Sequence, residues 1–196
     1  MKTIPIEQHP LKPFLPKHAK VLMLGSFPPP QKRWSIQFFY PNYTNDMWRI
    51  LGLLFFQNKY YFIDQQNKKF KEEAVIQFCE EVGIAIYDTA TQVRRLRDNA
   101  SDQFLEVVEA TDVHALLDQL PACQAIICTG EKATNIVQQQ LKIERAPKIR
   151  AYTPFTYKDR ELRLYRMPSS SRAYPLKVEK KAESYQLVFS KYYSLK

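Results

Sequence analysis

Apolar residues gather in four short runs along this chain, at 21–24, 83–87, 125–128 and 162–167, with more polar stretches between them. Runs of this length bounded by turn residues read as strands buried on both faces, the habit of parallel sheets covered by helices. The intervening segments carry helical spacing. Residues 45–55 form one helix, with Thr44 or Asn45 at its N-cap. Residues 68–82 form an amphipathic one, with Phe70, Ala74, Ile76 or Gln77, Phe78 and Val82 near one face. Short helices are predicted over 103–110 and 113–120, a further one over 131–141, and a closing helix over 177–193 with Val178, Ala182, Tyr185, Val188 or Phe189, and Tyr192 on its buried stripe. Residues 146–158 contain two prolines and read as a loop or irregular hairpin. Strands alternating with helices give an α/β class chain: a three-layer α/β/α sandwich around a four-stranded, mostly parallel sheet with right-handed crossovers. Pro5, Pro10, Pro13 and Pro16 mark residues 1–20 as an extended arm, leaving 21–196 as a single domain.

Each run opens directly into a loop of small, polar or proline residues. These loops are Gly25-Ser26-Phe27-Pro28-Pro29-Pro30, Asp88-Thr89-Ala90-Thr91, Thr129-Gly130-Glu131-Lys132 and Pro168-Ser169-Ser170-Ser171-Arg172. In an open parallel sheet the carboxyl ends of the strands share one edge, and that edge is where ligands bind. The four loops are therefore expected to converge on one site.

Charge sharpens this picture. The net charge of +9 lies wholly in the last 55 residues, where 14 Lys and Arg face 5 Asp and Glu. A local positive field suits a polyanion, either nucleic acid or an anionic membrane surface; the alternative is a solvated lysine-rich face without a partner. The N-terminal segment lacks the apolar core of a signal peptide, and no apolar run approaches the roughly 18 residues of a membrane span. Cys79, Cys123 and Cys128 have no C-x-x-C spacing, and two of them lie in or beside apolar segments. They read as reduced, mostly buried thiols of a cytoplasmic protein. His9, His18 and His114 are scattered, so no zinc or iron–sulfur site is expected, and no cofactor.

Two segments carry candidate chemistry. In the first, Gly25 lets the backbone turn sharply at the strand end and the prolines hold the following residues extended. Aromatics at 38–40 then either stack on a planar ligand, where a stacked base is worth about 1–3 kcal/mol, or belong to the core. In the second, Pro168, Ser169, Ser170 and Ser171 offer hydroxyls and backbone amides to phosphate oxygens, and Arg172 can reach into a duplex; otherwise this is a polar loop.

The combination resembles the uracil-DNA glycosylase superfamily, over residues 21–190 in order. Its mismatch and thymine glycosylases carry a G-x-N-P-G loop after the first strand, an aromatic and a P-x-N-x-F-W segment opening the next helix, and an N-P-S or M-P-S-S-S loop near the C-terminus. The counterparts here are Gly25-Ser26-Phe27-Pro28, then 38–41 with Asn45-Asp46-Met47-Trp48, and 167–172. Phe27 stands where the mismatch-type enzymes hold a water-positioning Asn. The hypoxanthine-DNA (deoxyinosine) glycosylase branch is similar in having G-S-x-P there, with its catalytic Asn in the later segment, a W-D-V after its second strand and a G-x-K-A after its third. Asn45, Tyr87-Asp88-Thr89 and Gly130-Glu131-Lys132-Ala133 correspond, with two extra residues after Pro41.

The resemblance implies a monofunctional DNA glycosylase acting, as a monomer, on hypoxanthine or uracil in damaged or mismatched duplex or single-stranded DNA. Asn45 and Asp88 are the implied catalytic residues. Gly25, Ser26, Phe27, Pro28, Phe38 and Thr129 would bind the base, with Phe38 stacking on it, and Pro168 to Arg172 with Lys132 would bind DNA. Breaking the bond from C1′ to the base passes through an oxocarbenium-like sugar, so oriented water, a stabilised leaving base and the helix N-termini near 45 and 131 suffice. The nucleotide must leave the stack, and Arg172 is the candidate to fill the gap. The alternative is a catalytically silent nucleic-acid-binding protein that keeps the fold. A serine hydrolase is disfavoured, because there is no G-x-S-x-G and no His after an acid near the C-terminus.

Overall fold

The computed structural model describes residues 4–97 and 102–195; residues 1–3 of the N-terminal arm lie outside that range. In chain order the elements are β1 (Ile6–Gln8), β2 (Val21–Gly25), α1 (Met47–Phe56), β3 (Ile63–Asp64), β4 (Lys69–Phe70), α2 (Glu72–Val82), β5 (Ile84–Asp88) and β6 (Ala90–Arg95). They continue with β7 (Leu105–Ala110), α3 (Val113–Asp118), β8 (Ala125–Thr129), α4 (Glu131–Gln140), β9 (Ala151–Tyr157), β10 (Arg160–Met167) and α5 (Val178–Tyr192).

The four apolar runs become β2, β5, β8 and β10, all parallel, in a central sheet of order β5-β2-β8-β10-β9. Every residue of β2, β5 and β8 is buried, as a sheet covered on both faces requires. The sheet has five strands rather than the four expected. The fifth, β9, runs antiparallel to β10 and comes from the proline-containing segment read as a loop or irregular hairpin. Pro154 sits opposite Arg163 in this edge strand, the one place in a sheet where a missing N–H is tolerated.

A second sheet, β1-β6-β7, is antiparallel. The segment expected as a helix over 103–110 supplies β7 after a single 3-10 turn, because Leu105 and Val107 pack with Ala90, Val93 and Phe27 in a small separate core. That apolar contact between β6, β7 and the first loop outweighs the weak helical preference of the local sequence. The N-terminal arm is stitched on by β1 and by paired backbone bonds between Phe14 and Ile86 of 3.0 and 2.9 Å.

Helices α1 and α5 close over the main core. Trp48 and Tyr185 are fully buried, and Phe55 meets Phe78 and Phe189 edge-to-face. Burying such side chains stabilises the fold by about 1.5–3 kcal/mol each. Cys79, Cys123 and Cys128 are free and buried; burial pushes the Cys123 thiol up to about 11 and the other two further, leaving all three unreactive. Among the described residues no helix is long and apolar enough to cross a membrane.

Candidate active site

The register of the central sheet decides what lies at its carboxyl edge. Gly25 pairs with Asp88, and Met167 with Thr129, so the ends of β2, β5, β8 and β10 fall in one row. Over this row opens a cavity of about 750 Å³, lined by Gly25 to Pro29, Phe39 to Asn42, Asn45, Asp88, Thr129 and Ser169 to Arg172, among others. Gly25, Ser26, Phe27, Pro28, Thr129, Asn45 and Asp88 of the sequence reading all reach it. A Cβ at Gly25 would stand 2.4 Å from Asp88 Oδ1, so only glycine lets the carboxylate lie against that strand end.

Asp88 is held from three sides. Its peptide oxygen accepts from Thr111 Oγ1 at 2.7 Å, while Thr89 N–H donates to Gly25 O at 2.9 Å. Its Oδ2 lies 2.8 Å from His9 Nε2, delivered by the N-terminal arm. The His9 ring packs against Tyr87 and edge-on to Phe27, with Nδ1 3.1 Å from Leu11 N and 2.9 Å from Leu11 O. Protonated on Nε2 alone, the ring donates to Asp88 and accepts from Leu11 N–H; as imidazolium it donates to both Asp88 and the Leu11 carbonyl. Nothing in the sequence around His9 distinguishes it, since its partner lies 79 residues away.

The first loop is gripped by the small sheet. Arg95 donates to both carboxylate oxygens of Glu7 and, at 3.1 Å, to Pro28 O. The loop's aromatic neighbours differ from the expectation. Phe38 does not line the cavity but sits in the core between Phe14, Phe39 and Trp48. Phe39 and Tyr40 line the cavity instead. Tyr40 adopts φ +50°, a left-handed conformation rare for an aromatic, which breaks the alternation of side chains and brings two successive rings to the same side. The Tyr40 hydroxyl is buried and makes no hydrogen bond of good geometry, although the Thr129 side chain lies close enough to interact with it; burial, then the Asp88 charge, drive its pKa well above the ordinary tyrosine value.

Across the cavity, the start of α1 meets the serine loop. Asn45 Oδ1 accepts from Met47 N at 2.9 Å, and Asp46 occupies the cap position, its N–H donating to Ser170 O at 2.9 Å. Lys181 of α5, fully buried, donates to Asp46 Oδ2 at 2.8 Å and to Ser171 O at 2.7 Å. One ammonium thus ties three segments together. Arg172 reaches the same carboxylate from outside, 3.4 Å from Oδ1 with a largely exposed side chain. Lys181 was not anticipated, although it falls on the stripe formed by Val178, Ala182, Tyr185 and Val188; a charge on a buried face was the available signal.

Two expected DNA contacts lie elsewhere. Pro168 stands behind the loop, its carbonyl accepting from Tyr185 Oη at 2.8 Å. Lys132 lines an adjoining cavity of about 580 Å³ with Arg166 and Asn135, and donates to Leu105 O. Gly130 and Glu131, at the start of α4, line this second cavity and not the main one. Part of the C-terminal positive charge has partners within the protein: Arg160 donates to the Leu117 and Leu120 carbonyls, and on the surface Lys158 pairs with Asp118 and Lys180 with Glu183. Arg33, from the first loop, joins Arg172 at the cavity rim. No group of three His, Cys, Asp or Glu able to hold a metal occurs among the described residues.

No family model matches the chain, and no curated protein matches it in sequence. Among solved structures, it is similar to the solution NMR structure of a "putative Uracil DNA glycosylase" from Methanosarcina acetivorans, with 19% identity and a TM-score of 0.61 over 95% of this chain and 98% of that one. The similarity spans nearly the whole of both chains and is one of fold: a mixed α/β architecture built on a mostly parallel five-stranded sheet.

Proposed function

We propose that the protein is a monofunctional DNA glycosylase that hydrolyses the bond between deoxyribose and a deaminated base, hypoxanthine or uracil. One observation carries the reading. On a glycosylase-like fold, a single cavity gathers the first loop, the start of α1, Asp88 and the serine loop, the segments whose sequence resembles that superfamily.

The chemistry follows from the residues at hand. A base extruded from the stack enters between Phe39 and Tyr40 on one side and Phe27 on the other, with Ser26 and Thr129 within the same cavity to bond its edge. As the bond to the base lengthens, positive charge grows on the sugar. Asp88, the only carboxylate among the cavity-lining residues, stabilises it, and Asn45 orients the water. Arg33 and Arg172 at the rim meet phosphates.

A second reading, a silent nucleic-acid-binding protein, draws on Phe27 and on Asn45 Oδ1 being engaged by Met47 N. Purified protein incubated with duplexes containing inosine, uracil or mispaired thymine separates the two: release of free base supports the enzyme, tight binding without release the alternative. Asn45→Ser sharpens the test. A serine hydroxyl can accept the Met47 N–H that Asn45 Oδ1 now accepts, so stability should stay within about 1 kcal/mol of the parent. Base release should fall by orders of magnitude, and a parental rate would remove Asn45 from the mechanism.

A further inference from the structure

We propose that His9 is a positioning residue for Asp88: the N-terminal arm carries an imidazole to the sheet edge to fix the carboxylate that faces the sugar. The inference rests on the glycosylase reading and extends it to a segment that the resemblance, beginning at residue 21, does not reach.

The geometry is specific. The His9 side chain is 2% exposed, and both ring nitrogens are satisfied, one by Asp88 and one by Leu11. Its place is set by the β1–β6 pairing, which ends with Gln8 opposite Gln92, and by the bond from His9 N to Thr91 O at 2.8 Å. With Oδ2 held by His9 and Oδ1 against Gly25, the Asp88 carboxylate has one orientation.

The bland explanation is that the pair merely fastens the arm. The arm has other fastenings, however: three β1–β6 register pairs, the Glu7–Arg95 ion pair and the Phe14–Ile86 bridge. Asp88 is also the one acid lining a cavity whose charged rim is otherwise basic. Asp46, the other buried carboxylate nearby, is engaged by Lys181 and Arg172. A carboxylate free to turn would lose its aim at the sugar, and its hydrogen bond to imidazole prevents that.

In the reaction the C1′–N bond breaks and its electron pair leaves with the base. The oxygen of water bonds to C1′, its proton passes to Asp88, and that proton is then returned to the departed base. His9 keeps its own proton throughout and acts only through Asp88.

The test separates the donor from the ring. His9→Gln keeps an amide donor near the Nε2 position but loses the aromatic packing; His9→Phe keeps the packing and loses the donor. Single-turnover base release from inosine and uracil duplexes is measured for parent and both variants, with duplex affinity and thermal unfolding alongside. His9→Phe should lose about 100-fold in rate with duplex affinity unchanged, the scale of a small misplacement of a catalytic group. His9→Gln should retain the rate within about tenfold of the parent. A His9→Phe protein at the parental rate, or rates that follow unfolding temperature rather than the donor, would overturn the role. So would failure of both variants to fold, which would make the pair part of the scaffold. A parent that releases no base overturns the glycosylase reading and this role with it, whereas an active parent indifferent to His9 overturns the role alone.

Discussion

On the β5 side of the cavity, polar groups are held at strand ends by a neighbour apiece: Asp88 by His9, its peptide oxygen by Thr111, the first loop by Arg95. On the α1 side a buried ammonium, a buried carboxylate and an exposed guanidinium hold one another, with Lys181 touching Asp46 and Ser171 and Arg172 closing from solvent. The first arrangement makes a fixed floor. The second makes a wall whose integrity depends on charge balance, and whose outermost member, Arg172, is largely exposed to solvent. On the proposed function, a base would need the floor to stay still, whereas a DNA backbone would need something at the rim that can exchange an internal partner for a phosphate.

The comparison breaks most visibly at Lys181. Replacing it with Met fills the volume but leaves Asp46 buried without its ammonium, and removing one partner of a buried ion pair typically costs about 3–5 kcal/mol. Urea denaturation of Lys181→Met should show a loss of that size. Adding Asp46→Asn should recover much of it, because an amide tolerates burial without a counter-charge. A loss below about 1 kcal/mol would mean that the wall is not held by charge, since such values belong to exposed pairs.

On the floor the corresponding change is Gly25→Ala. The added methyl would meet Asp88 Oδ1 at 2.4 Å, so the carboxylate must shift. Overpacking of this kind costs about 1–3 kcal/mol. Base release should fall further than that loss of stability explains, because on the proposed mechanism the displaced group faces the sugar. Unchanged release from a folded Gly25→Ala protein would detach Asp88 from the chemistry.

How much of this the sequence disclosed depends on whether a feature is local. The four parallel strands were legible because burial on both faces writes itself as an apolar run, and the converging loops followed from parallel topology alone. Strands β7 and β9 were not: Val107 and Val108 sit beside Glu106 and Glu109 without strict alternation, and Pro154 argues against a strand unless its edge position is known. Within the site, Gly25 and the serine loop stand out because they follow apolar runs, and Asn45 only through the resemblance. The resemblance selects Phe38, three residues before Pro41, and a turn at Tyr40 with φ +50° that brings Phe39 and Tyr40 to the cavity instead cannot be foreseen in a run of three aromatics. His9 and Lys181 act on partners 79 and 135 residues distant, and only the fold brings them there.

A smaller effect, of opposite sign, is expected at Tyr40. Its hydroxyl is buried beside the Asp88 charge with no hydrogen bond of good geometry and only the nearby Thr129 side chain to interact with, so Tyr40→Phe should leave stability unchanged or raise it by about 1 kcal/mol, since a poorly satisfied buried polar group costs about 1–3 kcal/mol. The alkaline limb of the stability curve provides a second readout. Burial raises the folded pKa above the ordinary 10.0, so above that pH the unfolded chain loses a proton that the folded one keeps. Stability is therefore fully present below pH 10.0 and declines as pH rises beyond it, by about 1.4 kcal/mol per unit for each such group. Tyr40→Phe should remove one group's share of that slope. A destabilised Tyr40→Phe protein would reveal a partner for the hydroxyl and place the floor under tension rather than at rest.

The smallest change in stability, and the one that bears most on the rim, belongs to Arg172. Its guanidinium is 63% exposed and 3.4 Å from Asp46 Oδ1, an arrangement worth less than about 1 kcal/mol in exposed pairs. Arg172→Ala should thus unfold at nearly the parental urea concentration, because Lys181 still holds Asp46. Its effect should appear in binding to duplex, where each neutralised phosphate adds about 0.9 to the slope of log affinity against log salt. Losing one contact should flatten the slope by about that amount, and Arg33→Ala, on the first-loop side of the rim, should do the same. If the two arginines meet different phosphates, the double variant loses about twice as much, and fluorescence anisotropy over a range of salt concentrations measures all three. Slopes equal to the parent's would mean that the basic rim meets no backbone. Arg172 would then be a surface partner of Asp46 and nothing more, and the exchangeable side of the cavity would have to be sought at Lys132 and Arg166, which line the adjoining cavity.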